Sequence, residues 1–354
     1  MNRPVDFATV RNVLILRTDH LGDLLLSTPL IRKLRTALPD RRFTLVASPA
    51  NAPALEGWDA IDEIMVYDTR WPLRQKWRFL RQLRQTHWDL CLTLSPRTVS
   101  YILGRLSGAT VRAGLVYSRR VLVRLLSPLW LTHTVVSPVD ELSEAGKAVP
   151  HEVMQLEAVG QAIGLPGDPP GALELPLPSA AQEWAREWLS SQGSPVSGII
   201  GIHCAFKWLS NGWTAADFLS LVRAVQDLPE VKKVLLTFGP GDKTLQAEVE
   251  AVLFKEPNPI LLLPGQLPVS RWAALVSHCE VVISPDTGSL HLAVALGKPV
   301  VALYETRKFV HCSSQWAPWQ VPHAVVRRES PNITIPRIVC EVQRLRREEG
   351  TSHV

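Results

Sequence analysis

The sequence predicts an α/β fold in two domains, each built on a mainly parallel β-sheet. The chain has 354 residues, which is too long for one compact core of ordinary size and suggests two domains. Short apolar runs alternate with helical patterns in both halves, which is typical of βαβ units. A stretch rich in proline and glycine, GLPGDPPGALELPLP, separates the halves, and this composition indicates a linker.

The predicted strands follow the apolar runs. In the first half they are residues 13–17, 43–47, 63–67 and 89–94. In the second half they are residues 197–204, 232–238, 259–263, 280–284 and 299–304. We place an N-terminal domain at residues 1–165, a linker at 166–180, a C-terminal domain at 181–335, and a C-terminal helix and tail at 336–354. Ligands bind outside the carboxyl ends of strands in open α/β sheets, so the loops after these strands are the candidate sites.

The composition favours an anionic partner. Lys and Arg number 38 against 33 Asp and Glu, and the isoelectric point is near 9.0, which leaves nucleic acid, phospholipid and phosphorylated small molecules open. The five cysteines are scattered and lack a C-x-x-C pair, so we expect reduced cytoplasmic thiols and no structural zinc. No apolar run approaches the roughly 20 residues of a spanning helix, and the N-terminus lacks a signal-like apolar region. A soluble or peripheral protein is expected.

The first strand runs directly into the stretch RTDHLGDLLLSTPLIRKLR, residues 17–35. Its loop contains His20, Gly22 and Asp23, and a helix follows at once. The carboxylate of Asp23 is placed either to cap this helix or to do chemistry above the sheet. The local pattern leaves both interpretations open.

The loop after the strand at 280–284 reads SPDTGSLHLAVALGKPVVALY. A turn of small residues enters a helix there, and a helix start presents free backbone N–H groups that suit a phosphate or diphosphate. The hydroxyls of Thr287 and Ser289 add donors, and His291 falls in the first helical turn. The alternative is structural: Asp286 or Ser289 caps the helix and His291 packs inside.

Two further loops of the second half carry weaker signals. In HCAFKWLSNGWTAADF, residues 203–218, Lys207 is placed to meet a phosphate, although a lone loop lysine is usually a solvated charge. Thr214 is predicted to cap the next helix together with Asp217. The run FGPGD follows the next predicted strand, and its loop begins at Gly239. The run lacks the third glycine of a dinucleotide fingerprint.

The segment TRWPLRQKWRFLRQLRQTHW, residues 69–88, contains no acidic residue. As a helix it aligns a basic stripe beside an apolar one. The basic stripe consists of Arg70, Arg74, Arg78 and Arg81; the apolar one consists of Leu73, Trp77 and Leu80. Such a stripe suits an anionic acceptor or a lipid headgroup layer, and the alternative is an exposed helix whose arginines cover the core. Arg119 and Arg120 add positive charge to the same half.

Several catalytic motifs are missing. No two aspartates stand two residues apart, so the D-x-D pattern that holds a divalent ion under a nucleotide diphosphate is lacking. The chain also lacks G-x-S-x-G, G-x-x-x-x-G-K-[ST] and H-E-x-x-H motifs. Serine hydrolase, P-loop and zincin chemistry are therefore not expected.

Two stretches of the chain carry a family resemblance: HLGD with LLLSTPLIRKLRTALPD, and SPDTGSLHLAVALGKPVVALY. Together they resemble glycosyltransferase family 9, the bacterial heptosyltransferases of lipopolysaccharide core assembly. The resemblance covers residues 13–304 and implies the GT-B fold, two Rossmann-like domains facing a cleft. It places the acceptor on the N-terminal domain and the nucleotide sugar on the C-terminal one. It further implies an inverting transfer without metal or other cofactor, usually of heptose from ADP-heptose. The implied partners are an anionic, lipid-linked saccharide at the cytoplasmic face of the inner membrane, where the protein would be peripheral, and no nucleic acid.

The resemblance also implies residue roles. It makes Asp23 the general base, with Gly22 and the basic side chains of the N-terminal half on the acceptor side, namely Arg74, Arg78, Arg119 and Arg120. The implied donor-side residues are Lys207, Asn211, Gly239, Asp286, Thr287, Gly288, Ser289 and His291. This chain departs from the family pattern where SNGWTA carries Asn211 in place of a lysine, and where Tyr304, Glu305 and Thr306 replace a glycine turn. These departures keep two alternatives open: another nucleotide-sugar donor, or a non-catalytic glycan-binding protein.

Overall fold

The computed structural model describes residues 5–194, 197–239, 242–253 and 261–351. The chain divides into two compact units, Met1–Pro176 and Leu177–Val354. The division falls inside the stretch 166–180 that the sequence predicts as a linker. The end of that stretch already belongs to a helix, because α8 begins at Ser179.

The N-terminal unit contains a six-stranded sheet in the order β3-β2-β1-β4-β5-β6, and every neighbouring pair is parallel. Its strands are β1 (Asn12–Arg17), β2 (Arg42–Ala47), β3 (Glu63–Val66), β4 (Leu90–Thr93), β5 (Val111–Tyr117) and β6 (His133–Ser137). Its helices are α1 (Leu21–Leu25), α2 (Thr28–Ala37), α3 (Leu73–Leu83), α4 (Thr98–Leu106), α5 (Val121–Trp130), α6 (Val139–Glu144) and α7 (Glu152–Ala162). The strand order reverses between β1 and β4, which makes the loops after these two strands the expected ligand position.

The C-terminal unit repeats this topology with the order β12-β11-β10-β7-β8-β9, again with parallel pairs. Its strands are β7 (Ile199–Cys204), β8 (Lys233–Phe238), β9 (Leu261–Leu262), β10 (Val281–Pro285), β11 (Val300–Glu305) and β12 (His323–Arg328). Its helices are α8 (Ser179–Ser191), α9 (Ala215–Gln226), α10 (Lys243–Leu253), α11 (Val269–Val276), α12 (Gly288–Ala295), α13 (Phe309–Gln315) and α14 (Pro331–Thr351). The reversal here lies between β7 and β10.

The buried central strands explain why the sequence revealed most of the sheet. β1, β4, β7 and β10 are almost wholly buried, and strands covered by helices on both faces are near-continuous apolar runs. The sequence missed β5, β6 and β12. Of these, β6 and β12 are edge strands with polar positions, and β12 alternates exposed and buried residues. The last helix also begins at Pro331, earlier than the predicted residue 336.

Local capping residues define the start of α9 and the end of α12 in the C-terminal unit. The predicted cap of α9 is confirmed: the Thr214 hydroxyl accepts from the Asp217 N–H at 3.2 Å, and the Asp217 carboxylate accepts from the Thr214 N–H at 2.8 Å. Helix α12 ends before Gly297, whose φ of +71° is accessible to glycine at little cost.

The predicted basic stripe is partly wrong. Helix α3 begins at Leu73, so Arg70 precedes it and forms an ion pair with Asp68 at 2.8 Å. Pro72 occupies the N-cap and ends the preceding turn. Only Arg74, Arg78 and Arg81 belong to the stripe on the helix. Across the described part of the chain, no helix combines the length and apolar character needed to span a membrane.

Candidate functional site

The loop after β1 places Asp23 in the first turn of α1, next to the reversal of the strand order. His20 is the N-cap of this helix. Asp23 uses its backbone carbonyl to accept from the Ser27 hydroxyl at 2.8 Å. Its carboxylate makes no hydrogen bond to a backbone N–H among the described residues. The interpretation of Asp23 as the N-cap is therefore wrong, and its carboxylate is open to another role.

A buried arginine holds this loop in place. Arg17 ends β1 and is fully buried; its Nε–H donates to the backbone carbonyl of Asp23 at 2.9 Å. Its Nη1 donates to the carbonyl of Leu94, just beyond β4. Its Nη2 donates to Glu152 Oε1 at 3.0 Å. Arg17 thus ties together the loops after the two strands at the reversal.

Three carboxylates surround this one guanidinium. Arg17 lies 3.3 Å from Asp19 Oδ1 and 3.7 Å from Asp23 Oδ1. Burial lowers the pKa of Arg17, but the carboxylates outweigh burial and raise it overall. Burial raises the pKa of Asp19, and the attraction of Arg17 only partly opposes this. The side chains of Asp19, Asp23 and Glu152 are 6%, 22% and 3% exposed, so Asp23 is the carboxylate that a ligand can reach.

Sequence reasoning missed Arg17, Asp19 and Glu152 as parts of this site. Glu152 begins α7, which is 135 residues away from Arg17 in the chain, so no local pattern connects them. The one available signal was a charged residue, Arg17, at the end of an apolar strand. Gly22, predicted on the acceptor side, lies buried within α1.

The predicted acceptor-side arginines differ in their surroundings. Arg119 forms an ion pair with Glu144 at 2.6 Å. Arg120 donates to the carbonyl of Pro96 and, at 3.1 Å, to Thr98 Oγ1, so it fastens the loop after β4. Arg74 and Arg78 are exposed, and neither has an ion-pair partner within the described ranges. The sequence analysis did not single out Arg97, which is exposed at the N-cap of α4 directly after β4.

In the C-terminal unit, α12 begins at the carboxyl end of β10, beside the reversal in strand order. Its N-cap is Thr287, in extended conformation, so the alternative in which Asp286 or Ser289 caps the helix is wrong. The hydroxyls of Thr287 and Ser289 lie 2.6 Å apart, and Ser289 Oγ is 2.7 Å from Ser284 Oγ. The N–H groups of Gly288 and Ser289 precede the first backbone bonds of the helix, whereas the Leu290 N–H donates to the Thr287 carbonyl at 3.1 Å.

His291 lies one turn into the same helix and is buried. This burial fits the alternative in which His291 packs inside the protein. Whether His291 reaches the donor stays a prediction.

A cavity of about 270 Å³ opens at the carboxyl ends of β10 and β11. Lys207 Nζ lies 3.6 Å from Asp286 Oδ2 and donates to the Asp286 carbonyl, so two predicted donor-side residues are brought together. Burial raises the pKa of Tyr304 well above its usual value, and that of Cys312 to about 11, which keeps both neutral at pH 7. The charged lining residues are Lys207, Asp286, Glu305, Lys308 and Arg328. The three cations among them outnumber the two carboxylates, which suits an anionic ligand.

The loop after β8 approaches the loop after β7. Asp242 Oδ1 accepts from the backbone N–H of Phe206 at 2.7 Å. A Cβ at Gly239 would lie 2.6 Å from Asp242 Oδ2, so a side chain at Gly239 would push this carboxylate away. The side chain of Asn211 and residues 240–241 lie outside the described residues.

Among the described residues, no group of three or more His, Cys, Asp or Glu side chains is arranged to hold a metal ion. The expectation of metal-free chemistry stays a prediction.

The comparisons with known proteins agree on one family. The family model described as glycosyltransferase family 9 (heptosyltransferase) matches residues 76–341. A lipopolysaccharide heptosyltransferase 3 from Escherichia coli is 22% identical over 306 residues, which cover 84% of this chain and 83% of the relative.

Solved structures agree on the fold. A family 9 glycosyltransferase from Veillonella parvula DSM 2008 superposes with a TM-score of 0.80 at 20% identity, covering 98% of this chain and 99% of the other. The E. coli ADP-heptose lipopolysaccharide heptosyltransferase II superposes with a TM-score of 0.75 at 19% identity, covering 96% and 99%. These likenesses confirm the predicted GT-B fold. The chain therefore belongs to glycosyltransferase family 9, the heptosyltransferase family, and is a glycosyltransferase.

Proposed function

We propose that this protein transfers heptose from ADP-heptose to a saccharide of the lipopolysaccharide core, with inversion and without a metal ion. Family membership supports the sugar. The names of the E. coli relatives, a lipopolysaccharide heptosyltransferase 3 and an ADP-heptose heptosyltransferase, support the donor and the acceptor class. The acceptor is lipid-linked and anionic in this proposal, so the protein works as a peripheral enzyme at the cytoplasmic face of the inner membrane and takes no nucleic acid.

The proposed mechanism rests on the surroundings of the Asp23 carboxylate. Its carboxylate caps no helix, is the most exposed of the three around Arg17, and lies 3.7 Å from the guanidinium. That separation exceeds a hydrogen bond, so the oxygen lone pairs stay available to an acceptor hydroxyl. Arg17 acts as a positioning residue because it holds the backbone of Asp23 and not its carboxylate.

In the proposed reaction, Asp23 accepts the proton of the acceptor hydroxyl as the hydroxyl oxygen attacks the anomeric carbon. The new carbon–oxygen bond forms on the face opposite the diphosphate, and the bond from the anomeric carbon to the diphosphate oxygen breaks. ADP leaves with the bonding electrons. Attack from the opposite face inverts the anomeric configuration.

We assign the diphosphate to the start of α12. The N–H groups of Gly288 and Ser289 and the positive end of the helix dipole suit the growing negative charge. Lys207, held beside Asp286, adds a positive charge and takes the place of the family lysine that Asn211 replaces. Fixed donors of this kind stabilise a leaving diphosphate without a metal. The remaining donor-side assignments are Asn211, Gly239, Thr287 and His291.

On the acceptor side we assign Gly22, Arg119, Arg120, Arg74 and Arg78. The last two are the strongest candidates, because they are exposed and lack an ion-pair partner in the described part of the chain. Arg119 and Arg120 already have intramolecular partners, so their contribution is expected to be smaller.

The test is a transfer assay with ADP-heptose and heptose-deficient lipopolysaccharide core, followed by release of ADP and by NMR of the new anomeric centre. We expect turnover in the presence of EDTA and an inverted product. Turnover only with a divalent ion, or retention of configuration, would contradict the mechanism.

A second candidate is the same transfer from another nucleotide sugar. The residues that favour it are Asn211, Tyr304 and Glu305, which depart from the family pattern and of which Tyr304 and Glu305 line the cavity. A panel of nucleotide sugars separates the two, since a preference for a donor other than ADP-heptose would select this candidate. Donor binding without turnover on any acceptor would instead select a non-catalytic glycan-binding protein.

A further inference from the structure

The segment 69–139 is strongly basic. It carries twelve Lys and Arg residues and one acidic residue, Asp89, whereas the whole chain has a net charge of only +5. Within it, the side chains of Arg81, Arg97, Arg105 and Arg124 are exposed and have no ion-pair partner in the described ranges. Several arginines elsewhere do have one, as Arg346 has in Glu280 at 2.9 Å.

The fold gathers this charge on one side of the N-terminal sheet. Side chains of α3 and α4, including Phe79, Leu83 and Leu103, enter the same buried cluster on one face of the sheet. Helix α5 packs on α4, where Trp130 stacks on Tyr101 with ring centroids 5.9 Å apart. Helices α3, α4 and α5 therefore form one layer, which we call the α3–α5 layer.

The outer side of this layer is also apolar. Leu122, Leu125 and Leu129 of α5 are 69%, 69% and 63% exposed, and they recur with helical spacing on one side of the helix. Ile102 and Leu106 of α4, in the same layer, are also exposed. On α3, the side chains of Leu73 and Trp77 point to solvent between the arginines. Three leucines on one side of a single helix form an exposed apolar row of the kind that marks an interaction surface.

We propose that the α3–α5 layer is a docking surface for an anionic lipid bilayer, with the leucines of α5 inserted among the headgroups. Apolar side chains bordered by unpaired arginines are the pattern of an interfacial helix, which combines insertion with attraction to anionic lipid. Tryptophan and arginine are also the residues that favour the headgroup region.

The positive charge of the α3–α5 layer favours an anionic bilayer over a second copy of the chain as its partner. A symmetric dimer through this surface would place two copies of the same basic layer face to face. Like charges brought together in this way disfavour the pairing. An anionic surface instead supplies the missing counter-charges.

The test measures co-sedimentation of the full chain with vesicles, without donor or acceptor. One set contains phosphatidylcholine with about one third phosphatidylglycerol, and the other contains phosphatidylcholine alone. We expect binding to the first set, and weaker binding in high salt, because the screening length falls from about 10 Å at 0.1 M to about 3 Å at 1 M ionic strength. Equal binding to both sets would overturn the electrostatic part of the proposal.

Two variants test the residues. Replacing Leu122, Leu125 and Leu129 by Ser should lower the vesicle partition coefficient by about tenfold or more, since binding scales with inserted apolar area. The control is Met154→Ser, an exposed apolar residue of α7; α7 packs on α2 and so belongs to the other helix layer. Replacing Arg105 and Arg124 by Gln should weaken binding mainly at low salt. Its control is Arg11→Gln with Arg223→Gln, two exposed arginines outside the layer.

Unchanged thermal midpoints should show that the variants fold, since all the replaced side chains are exposed. Equal vesicle binding by wild type and the leucine variant would overturn the proposal. A wild-type dimer in sedimentation velocity that the leucine variant converts to monomer, with no vesicle binding, would also overturn it and identify a dimer interface. This inference rests on the peripheral membrane location included in the proposed function, and its failure would count against that location. Because no substrate is present, failure here would leave the proposed sugar transfer untouched, and a failed transfer assay would leave the vesicle result standing.

Discussion

Replacing Asp23 by Asn tests the proposed base while preserving the shape of the site. The backbone carbonyl of Asp23, which accepts from Arg17 and Ser27, is retained in the variant. The carboxylate lies 3.7 Å from Arg17 and is 22% exposed, so its loss should cost at most about 1 kcal/mol of stability. Arg17 keeps its closer partner Glu152 at 3.0 Å.

The kinetic effect should be much larger. A general base typically contributes about 10²- to 10⁴-fold to turnover, which corresponds to about 2.7–5.4 kcal/mol of activation free energy. We therefore expect kcat to fall by about 100-fold or more in Asp23→Asn, while donor affinity barely changes.

The assay is single-turnover transfer at saturating donor and acceptor, with donor binding measured separately by calorimetry. Asp140→Asn is the matched control, because Asp140 is also a carboxylate in the first turn of a short helix of the N-terminal unit. A turnover of Asp23→Asn close to that of Asp140→Asn, with both variants folded, would refute the assignment of Asp23 as base.

The remaining predictions concern the site's supports and ligands. Arg17→Met should lower the free energy of unfolding by about 3–5 kcal/mol, because it removes the cation paired with the buried Glu152 carboxylate at 3.0 Å. Urea unfolding should show a smaller loss in the double variant with Glu152→Gln, and equal losses would contradict this cause. ADP at about a hundredfold excess over its dissociation constant should stabilise the protein by about 2.7 kcal/mol in thermal unfolding, with or without EDTA, and a requirement for a divalent ion would count against the metal-free site. Lys207→Met should weaken ADP binding by about tenfold or more in calorimetry, as expected for a lost charged contact; unchanged affinity would contradict its assignment to the diphosphate. Replacing Arg74 and Arg78 by Gln should raise the acceptor KM and flatten its dependence on salt without altering donor affinity, whereas parallel salt curves with equal KM would leave both as surface charges.

Local patterns predicted much of the fold. The central strands of each unit, such as β1 and β10, are short apolar runs followed by turn residues, and helices cover both faces of them. The cap formed by Thr214 and Asp217 was predictable because its partners stand three residues apart. The edge strands β6 and β12 were not, since solvent on one side permits polar residues that hide the strand pattern.

The candidate site was predicted only where it depends on neighbours in the chain. Asp23 and the start of α12 each follow a predicted strand, so their position at the carboxyl edge of a sheet followed from the sequence. The predicted basic stripe wrongly included Arg70. The spacing of the arginines does not show where the helix starts, and α3 begins only after its N-cap residue Pro72.

The sequence by itself determined the α/β class, the division into two halves, and the residue types at the loops after the strands, because these depend on periodicities and signals within a few residues. Only the tertiary structure decided which distant side chains meet. It pairs Arg17 with Glu152 across 135 positions of the chain and Lys207 with Asp286 across 79. It also decided that α3, α4 and α5 share one side of the sheet, because strand order, which no local pattern encodes, sets the face on which each connecting helix packs.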